Sequence, residues 1–472
     1  MRYIAADFGA GSGRIIVGNI QDDRLELEEV HRFANHQIKL GESLHWDFLS
    51  LFQELKKGIQ IAAKKYSNIK SIGIDTWGVD FGLLDINGNL IGNPFCYRDS
   101  RTTGMLNKAF KKVSKNDIYK VCGTQFMEIN TAFQLLAMKQ NNDPQLKIAK
   151  HLLFMPDLFN YYLTGIKKNE YTIASTSNLI DAKTGTWSKK IIKQLGLPQQ
   201  IFCDIIHPSN VIGKLKKSVC EELNCYPVDV IATGSHDTAN AAFTTYNNNN
   251  STAFLSSGTW SLLGVHLPHP ILTKQAMQAG FTNEGGIDNN ILFLKNIPGL
   301  WILQSLVKEW QEQENIEINY NRLIAEATAT KSIKTRIDTE DKSFANPVSM
   351  SKAIGDYCKR TNQKAPQNKS EYVKTILESL AEQYKSTIQQ IEKVTGNKIE
   401  QIHVVGGGSQ NELLNQLTAN ATQKPVIAGP TEATAIGNII TQAMAKKQIR
   451  NLQQASFIIQ NSFTLKQYQP KS

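Results

Sequence analysis

The sequence predicts an α/β protein of two domains, each built on a mixed β-sheet flanked by helices. At 472 residues, 41% of them apolar, the chain is too long for one hydrophobic core and fits two domains of similar size. The N-terminal segments follow the order strand, strand, strand, helix, strand, a pattern that gives a mixed sheet. A second pattern of strand, turn and strand begins near residue 252, so the second half is expected to repeat the first in outline.

The opening segment is predicted to be a β-hairpin with an anion-binding turn. An apolar run ends at Asp7, passes through a glycine-rich bend, and continues as β-branched residues after Arg14. A dinucleotide-binding glycine motif would open a helix, but no helical period follows Gly13. Backbone amides of the turn, together with Ser12 and Arg14, suit an anion, and Asp7 beside them suits Mg2+, which binds a carboxylate and phosphate oxygens together. An ordinary glycine hairpin with a capping aspartate is the alternative.

The next segments continue the predicted sheet. Residues 24–33 alternate apolar and polar side chains and predict a third strand, antiparallel to the second because no crossover fits between them. A helix is predicted from Trp46, and the strand that follows it ends at Asp75. From there to Gly82, carboxylates, a tryptophan and glycines cluster at a strand end, where open α/β folds bind ligands. The alternative is that Asp75 and Asp80 only cap loops.

The middle of the chain predicts helices and then a further strand that carries polar residues. Residues 130–165 are predicted to be helical. A buried strand over 228–234 delivers His236 and Asp237 to its C-terminal end, ahead of a helical run. An aspartate at this junction is suitably placed to meet a substrate, or it serves as the N-cap of the helix.

The second half contains two further turns that suit phosphate. Residues 252–265 are predicted to form strand, small-residue turn and strand, and such a turn facing the opening hairpin would hold a phosphate chain from both sides. Helices are predicted from Leu300 and from Ser370, which is expected to cap a long helix reaching Gly396. A buried strand over 402–405 runs into three glycines and a helix start, whose exposed N-terminus suits a nucleotide phosphate.

Composition predicts the domain boundaries, the cellular compartment and which classes of partner are not expected. The asparagine-rich residues 247–251 are predicted to be a linker, which sets the domains at 1–246 and 251–472. The net charge is +10, but no arginine-rich arm, zinc spacing or aromatic RNA motif accompanies the lysine pairs, so we expect no nucleic-acid partner. Six dispersed cysteines, with no signal segment and no apolar run of about 18 residues, predict a cytoplasmic protein without a membrane partner.

Four motifs, in this order along the chain, resemble those of the FGGY family of carbohydrate kinases. They are Asp-Phe-Gly-Ala-Gly-Ser-Gly-Arg at 7–14, Gly-Ser-His-Asp-Thr at 234–238, Leu-Ser-Ser-Gly-Thr-Trp at 255–260 and Val-Val-Gly-Gly-Gly-Ser-Gln-Asn at 404–411. The similarity covers nearly the whole chain. It implies two RNase H-like domains of the actin and sugar-kinase superfamily, an active site in the cleft between them, and ATP with Mg2+ as cofactors. The N-terminal domain would bind the sugar and the phosphates, and the C-terminal domain the nucleotide.

Four further motifs are similar to those of family members that phosphorylate the C1 hydroxyl of L-rhamnulose. They are Asp-Thr-Trp-Gly-Val-Asp-Phe at 75–81, Tyr-Arg-Asp-Ser-Arg at 97–101, Thr-Asn-Glu-Gly-Gly at 282–286 and Leu-Lys-Asn-Ile-Pro-Gly-Leu-Trp at 294–301. The resemblance implies L-rhamnulose and ATP as the partners of a monomer or weak homodimer. A kinase for another ketose, such as L-fuculose or D-xylulose, is the nearest alternative. A nucleotide-gated ATPase and a sugar-sensing regulator are more distant ones.

The family's pattern also implies a role for individual residues. Asp237 would be the catalytic base, with Asp80 as the next candidate. The residues lining the sugar would be Gly78, His236, Asp237, Thr238 and Asn296. The residues contacting ATP would be Ala10, Gly11, Ser12, Gly13, Arg14, Thr259, Gln304 and Gly407, with Mg2+ near Asp7. Gly11 departs from the pattern, since the family more often has serine there.

Overall fold

The computed structural model describes residues 1–246, 251–345 and 347–471, so all of the predicted linker except Ser251 lies outside the described residues. The chain forms two compact units, and each draws on more than one stretch of sequence. Unit 1 contains residues 1–246, 266–293 and 433–462. Unit 2 contains the described part of 247–265 together with 294–432 and 463–472. Stretches from the second half of the chain therefore complete the unit that the first half begins.

Strands and helices alternate along the chain. The strands are β1 (Arg2–Phe8), β2 (Ser12–Gln21), β3 (Arg24–Ala34), β4 (Gln37–Leu40), β5 (Ser43–Trp46), β6 (Ile69–Thr76), β7 (Phe81–Leu84), β8 (His151–Phe154), β9 (Asn169–Glu170), β10 (Ile180–Asp181), β11 (Thr186–Trp187), β12 (Ile205–Ile206), β13 (Asn210–Lys214), β14 (Asp229–Ala232), β15 (Thr252–Ser257), β16 (Trp260–Leu267), β17 (Thr282–Gly285), β18 (Ile291–Pro298), β19 (Gln401–Val405), β20 (Val426–Ala428) and β21 (Lys466–Tyr468). The α-helices are α1 (Phe48–Lys65), α2 (Met105–Phe110), α3 (Lys115–Cys122), α4 (Thr131–Gln140), α5 (Pro144–Ile148), α6 (Met155–Thr164), α7 (Tyr171–Ser175), α8 (Lys189–Leu195), α9 (Lys217–Leu223), α10 (Asp237–Phe243), α11 (Lys274–Gln278), α12 (Trp301–Glu314), α13 (Tyr320–Ala329), α14 (Met350–Arg360), α15 (Lys369–Thr395), α16 (Glu412–Thr422), α17 (Ala433–Ala445) and α18 (Leu452–Ser462). Short 3-10 turns lie at Ser100–Thr102, Gln199–Ile201, Ile287–Asn289, Lys342–Phe344 and Gly407–Gln410.

The sheet of unit 1 confirms the predicted mixed topology. Its strand order is β13-β14-β6-β1-β2-β3, with β1 antiparallel to β2 and parallel to β6. The glycine-rich bend therefore joins two strands and does not open a helix. Helix α1 packs on one face, where Ile15 of β2 meets Gly58. Helix α17 packs on the other face, where Ile439 meets Gly18, because residues 15 and 18 of a strand point to opposite sides.

Unit 2 repeats the same succession of strand pairings. Strands β16 and β15 form an antiparallel hairpin, β15 is parallel to β19, β19 is parallel to β20, and β20 is antiparallel to β21. In unit 1 the corresponding succession is β2, β1, β6, β14 and β13, with the same sense at every step. The duplicated outline predicted from the sequence is therefore confirmed at the level of strand direction.

Two local predictions were wrong, and a third needs a finer description. Residues 130–165 contain strand β8, which pairs with β7, since a four-residue apolar run does not distinguish strand from helix. The long helix α15 is capped by Asn368, whose side chain accepts from the backbone N–H of Glu371, and not by Ser370. The three glycines at 406–408 lead into a 3-10 turn, and α16 begins only at Glu412.

Among the described residues, no helix is both long and apolar enough to cross a membrane.

The crossing of α10 and α17 in unit 1 leaves no room for a side chain at Gly437. A Cβ atom there would lie 2.1 Å from the backbone oxygen of Asn240. We expect Gly437→Ala to lower the free energy of unfolding by about 1–3 kcal/mol, measured by calorimetry, because the two helices must separate. The matched control is Gly355→Ala in α14, where no atom lies within 4 Å of the added Cβ. The control should be neutral or gain up to about 1 kcal/mol of helix propensity; equal stability of both variants would contradict the close crossing.

Candidate functional site

The turn between β1 and β2 is fixed by backbone hydrogen bonds and by Asn35. The N–H of Gly9 donates to the carbonyl of Ser12 at 2.9 Å, and Asn35 donates to the carbonyls of Gly9 and Gly11 at 2.9 and 3.1 Å. A Cβ at Gly13 would lie 2.2 Å from the ring of Phe33, whereas no atom lies within 4 Å of one at Gly11. Gly11 and Ser12 are exposed, so the tip of the turn is free to approach a ligand.

Asp7 and Arg14 face each other across this hairpin. They are paired residues of β1 and β2, and Nη2 of Arg14 lies 2.6 Å from Oδ2 of Asp7. Asp7 is 6% exposed. Because an unpaired buried carboxylate is costly, Asp7 needs this ion pair with Arg14 at the base of the turn.

A second carboxylate, Asp75, lies beside Asp7 on the neighbouring parallel strand. It is fully buried and accepts hydrogen bonds from Nδ2 of Asn438 at 2.5 Å and Nδ2 of Asn240 at 3.1 Å. Its Oδ1 has no hydrogen-bond partner among the described residues. Burial, and next the negative charge of Asp7, raise the pKa of Asp75 well above its usual value.

Asp237 is the first residue of α10, and His236 is its N-cap. The structure therefore contradicts the alternative in which Asp237 is the N-cap. Oδ1 of Asp237 accepts from the backbone N–H of Thr238 at 2.6 Å and from its hydroxyl at 3.2 Å. The side chain is recessed but keeps 32% of its surface exposed. Burial raises the pKa of Asp237. His236 lowers the pKa and the charge of Asp7 raises it further, so that the pKa is raised overall.

His236 lies between two carboxylates. Its Nδ1 is 3.2 Å from Oε2 of Glu284, and its Nε2 is 3.5 Å from Oδ1 of Asp237. Burial lowers the pKa of His236, but Glu284 first, and then the other carboxylates, more than offset this, so the pKa is raised overall. A Cβ at Gly78 would lie 3.4 Å from Nε2, so Gly78 borders the imidazole. Unit 1 thus brings together the predicted Gly78, His236, Asp237 and Thr238.

The backbone before Asp237 is held by residues that the sequence analysis did not assign. The N–H of Ser235 donates to Oε2 of Glu170 at 3.2 Å, and the N–H of His236 donates to Oγ1 of Thr172 at 3.1 Å. The carbonyl of Ser235 accepts from the N–H of Thr76 at 2.9 Å. Burial raises the pKa of Glu170 to about 7. Nothing local in the sequence indicates this role, because Glu170 precedes Ser235 by 65 residues.

Asp80, the second candidate for a base, is fully engaged in the core of unit 1. Its Oδ2 accepts from Nε1 of Trp46 at 2.6 Å, Nε1 of Trp77 at 3.0 Å and the N–H of Tyr97 at 3.0 Å. Its Oδ1 accepts from Nε2 of Gln134 at 2.8 Å. The side chain is completely buried, and burial raises its pKa to about 6. With four donors aimed at it, Asp80 fixes the two tryptophans and offers no free oxygen to a substrate.

Unit 2 contains a second turn, between β15 and β16. The hydroxyl of Thr259 donates to Oε1 of Gln304 at 3.0 Å, so these two predicted ATP contacts lie together. The carbonyl of Thr259 accepts from the N–H groups of Gly299 and Trp301 at 3.1 and 3.2 Å, which ties the turn to the start of α12. Asn296, a predicted sugar contact, lies on β18 within unit 2 and is half-buried.

The glycine loop after β19 packs against the same hairpin of unit 2. A Cβ at Gly408 would lie 2.0 Å from Oγ of Ser257, and Gly406 has a φ of 79°, which few other residues adopt. Gly407 has no atom within 4 Å of an added Cβ. The loop therefore needs glycine at both flanking positions and leaves Gly407 open to a ligand.

Comparison with known proteins identifies relatives of the whole chain. The model of the FGGY family of carbohydrate kinases, N-terminal domain, matches residues 2–244, and that of the C-terminal domain matches residues 253–446. A rhamnulokinase of Oceanobacillus iheyensis is 44% identical over 465 residues, which cover 98% of this chain and 97% of that protein. A rhamnulokinase of Bacteroides thetaiotaomicron is 40% identical over 469 residues, 99% of this chain and 96% of that protein.

Solved structures share the fold at much lower identity. A ligand-bound xylulose kinase from Lactobacillus acidophilus has a TM-score of 0.81 at 16% identity, covering 100% of this chain and 94% of that one. A gluconate kinase from the same organism has a TM-score of 0.82 at 15% identity, with the same coverage.

The hydrogen bonds of Asp80 and Asp237 predict that replacement by asparagine destabilises the protein at the first position and not at the second. Asp80→Asn turns one buried acceptor oxygen into an amide nitrogen that meets donors, so we expect it to cost about 1–3 kcal/mol of stability in thermal unfolding followed by circular dichroism. Asp237→Asn should melt close to the parent, because an amide oxygen still accepts from Thr238. If Asp80→Asn were as stable as Asp237→Asn, the four-donor arrangement around Asp80 would be wrong.

Proposed function

The chain belongs to the FGGY family of carbohydrate kinases, and from this we propose that it transfers the γ-phosphoryl group of ATP to the C1 hydroxyl of L-rhamnulose, in L-rhamnose catabolism. The products are L-rhamnulose 1-phosphate and ADP. The observation that carries the proposal is the near full-length similarity, at 36–44% identity, to eight proteins that are all named rhamnulokinase. A kinase for another ketose, such as L-fuculose or D-xylulose, is the alternative.

Asp237 is the proposed general base. The proton of the C1 hydroxyl passes to its carboxylate as that oxygen attacks the γ-phosphorus. Three features support the role: partial exposure, a pKa raised toward the working range of a base, and a position on the first turn of α10. The donors that the structure gives to Asp237, both from Thr238, converge on Oδ1. Oδ2 is therefore the oxygen we assign to the proton.

The remaining predicted contacts divide between the two substrates. We propose that Gly78, His236, Thr238 and Asn296 bind the sugar. The turn from Ala10 to Arg14, together with Thr259, Gln304 and Gly407, binds ATP. Exposed backbone at Gly11 and Gly407 supports this, since an anion can approach amide groups that carry no side chain. The phosphoryl transfer itself requires alignment and charge stabilisation more than covalent chemistry.

Family members use Mg2+ with ATP, and the residues of unit 1 fit that ion. Asp7 and Asp75 are neighbours on parallel strands, and Oδ1 of Asp75 is buried without a hydrogen-bond partner among the described residues. No group of three His, Cys, Asp or Glu in the described ranges forms a complete metal-ligand set. Mg2+ keeps several waters and is held by one or two carboxylates with phosphate oxygens. Bound there, the ion would neutralise charge on the phosphates.

Other expectations from the sequence stay predictions. They are the domain boundaries at 1–246 and 251–472, the active site in a cleft between the domains, a cytoplasmic location, a monomer or weak homodimer, and the absence of nucleic-acid and membrane partners. All six cysteines are free thiols, which supports a reducing compartment.

The substrate assignment predicts the ranking of ketoses in a coupled assay of ADP release. L-Rhamnulose should give the highest kcat/KM of a panel that includes L-fuculose and D-xylulose, with a dependence on Mg2+. A much higher kcat/KM for another ketose would replace the substrate and keep the kinase assignment. ATP turnover independent of every ketose would favour the nucleotide-gated ATPase.

The base assignment predicts that Asp237→Asn separates folding from catalysis. The variant should keep its melting temperature and its affinity for ATP, but lose at least about a hundredfold in kcat, because an amide cannot take the proton. Asp204→Asn, at an exposed aspartate that pairs with Lys168, is the matched control and should stay near the parent. Turnover of Asp237→Asn within a few-fold of the parent would exclude Asp237 as the base.

A further inference from the structure

A buried chain of three ionisable side chains, Glu284, His236 and Asp237, leads to the proposed base. Glu284 lies on β17 and is 4% exposed, and His236 is 7% exposed. The imidazole lies 3.2 Å from Glu284 through Nδ1 and 3.5 Å from Asp237 through Nε2. Both ring nitrogens therefore face a carboxylate oxygen.

The strand that carries Glu284 is fixed on both sides of it. The N–H of Asn283 donates to the carbonyl of Gly123 at 2.8 Å, and the N–H of Gly285 donates to Oγ of Ser175 at 2.8 Å. Glu284 thus has little freedom to turn away from the imidazole. Among the described residues, Oε2 of Glu284 and Nδ1 of His236 have no hydrogen-bond partner of good geometry, and their contact with each other at 3.2 Å is that of an ion pair.

A buried carboxylate in this position needs a compensating positive charge. The nearest group that can supply one is the imidazole of His236, at 3.2 Å. A neutral imidazole has only one N–H, so one of its two nitrogens would present a lone pair to a carboxylate. The doubly protonated ring satisfies both neighbours at once.

We propose that Glu284 is a positioning residue, which holds His236 as an imidazolium with Nδ1–H toward Glu284 and Nε2–H toward Oδ1 of Asp237. The inference rests on the proposed kinase function, in which Asp237 is the base. The imidazolium joins the two donors of Thr238 on Oδ1, so that all three donors hold one oxygen and Oδ2 points its lone pairs to the sugar hydroxyl.

Charged neighbours determine what happens when Glu284 is neutralised. His236 faces Glu284, Asp237 and Glu170, and Asp237 faces His236, Asp7 and Asp75. Without the charge of Glu284, the largest influence that raises the pKa of His236 is gone, so the imidazole gives up its proton at lower pH. Asp237 then loses the interaction with His236 that lowers its pKa, so it binds a proton at higher pH and the base is inactive over a wider acid range.

The kinetic test compares Glu284→Gln with Glu284→Asp. In Glu284→Gln we expect the acid limb of the profile of kcat/KM against pH to move upward by about one pH unit, with KM for ATP unchanged. Glu284→Asp keeps the charge and should return the limb toward that of the parent. Glu222→Gln is the matched control, because Glu222 pairs with Lys56 on the surface, and its profile should not move.

The direct test observes the ring itself by 15N NMR of histidine-labelled protein. His236, assigned with His236→Gln, should be an imidazolium at pH 7 in the parent and neutral in Glu284→Gln. His266, whose pKa burial lowers to about 4, should be neutral in both and serves as the internal reference. A neutral His236 in the parent, or an acid limb that Glu284→Gln leaves unmoved, would overturn the proposal.

The kinase function and the role of Glu284 are tested by different measurements. A parent protein that phosphorylates no ketose would remove the proposed function, while the NMR spectra would still report whether Glu284 holds the imidazolium. If Glu284→Gln does not fold, the spectra of the parent and Glu284→Asp decide the question, since a neutral ring in both contradicts the proposal.

Discussion

Negative charge concentrated at the C-terminal ends of two parallel strands is the constraint on which unit 1 depends. The pairing of β1 with β6 sets Asp7 beside Asp75, and the start of α10 adds Asp237 to the same region. Three carboxylates in a region shielded from water repel one another, so the fold must supply compensation. It does so with a cation for Asp7, two amides for Asp75 and an imidazole for Asp237.

Each compensating group comes from a different part of the fold. Arg14 is paired with Asp7 through the first hairpin, and Asn240 and Asn438 reach Asp75 from the crossing helices α10 and α17. The close crossing requires glycine at position 437. It thereby allows the neighbouring Asn438 to donate its hydrogen bond to Asp75. Packing and electrostatics in this region therefore depend on the same helix crossing.

The sequence was sufficient for what depends on local pattern. Alternating apolar residues and a glycine-rich bend indicated the hairpin of β1 and β2, and the recurrence near residue 252 indicated the duplication, because strand period and turn chemistry are properties of neighbouring residues. Glu284 belongs to a motif that was recognised, but its contact with His236 joins residues 48 positions apart in the chain, which no periodicity encodes. Asn438 and Asp75 are 363 positions apart. Local sequence pattern also could not distinguish Asp80 from Asp237, since both are aspartates that follow strands. The structure distinguishes them by burial and by the number of hydrogen-bond donors.

Helix α17 has a consequence for the order in which the protein is made. It covers β1 and β6, and it donates from Asn438 to Asp75 and from Gln442 to the carbonyl of Ile4, yet a ribosome reaches it only after more than nine-tenths of the chain. Until then the N-terminal half lacks the helix that covers β1 and β6, and Asp75 has only Asn240 of its two amide partners. Domains commonly complete their folding in the order of synthesis, but here the first sheet to emerge must wait for one of the last helices. A chain whose synthesis stops before α17 therefore keeps Arg14, His236 and Asn240 beside the three carboxylates but lacks the hydrogen bond from Asn438 to Asp75.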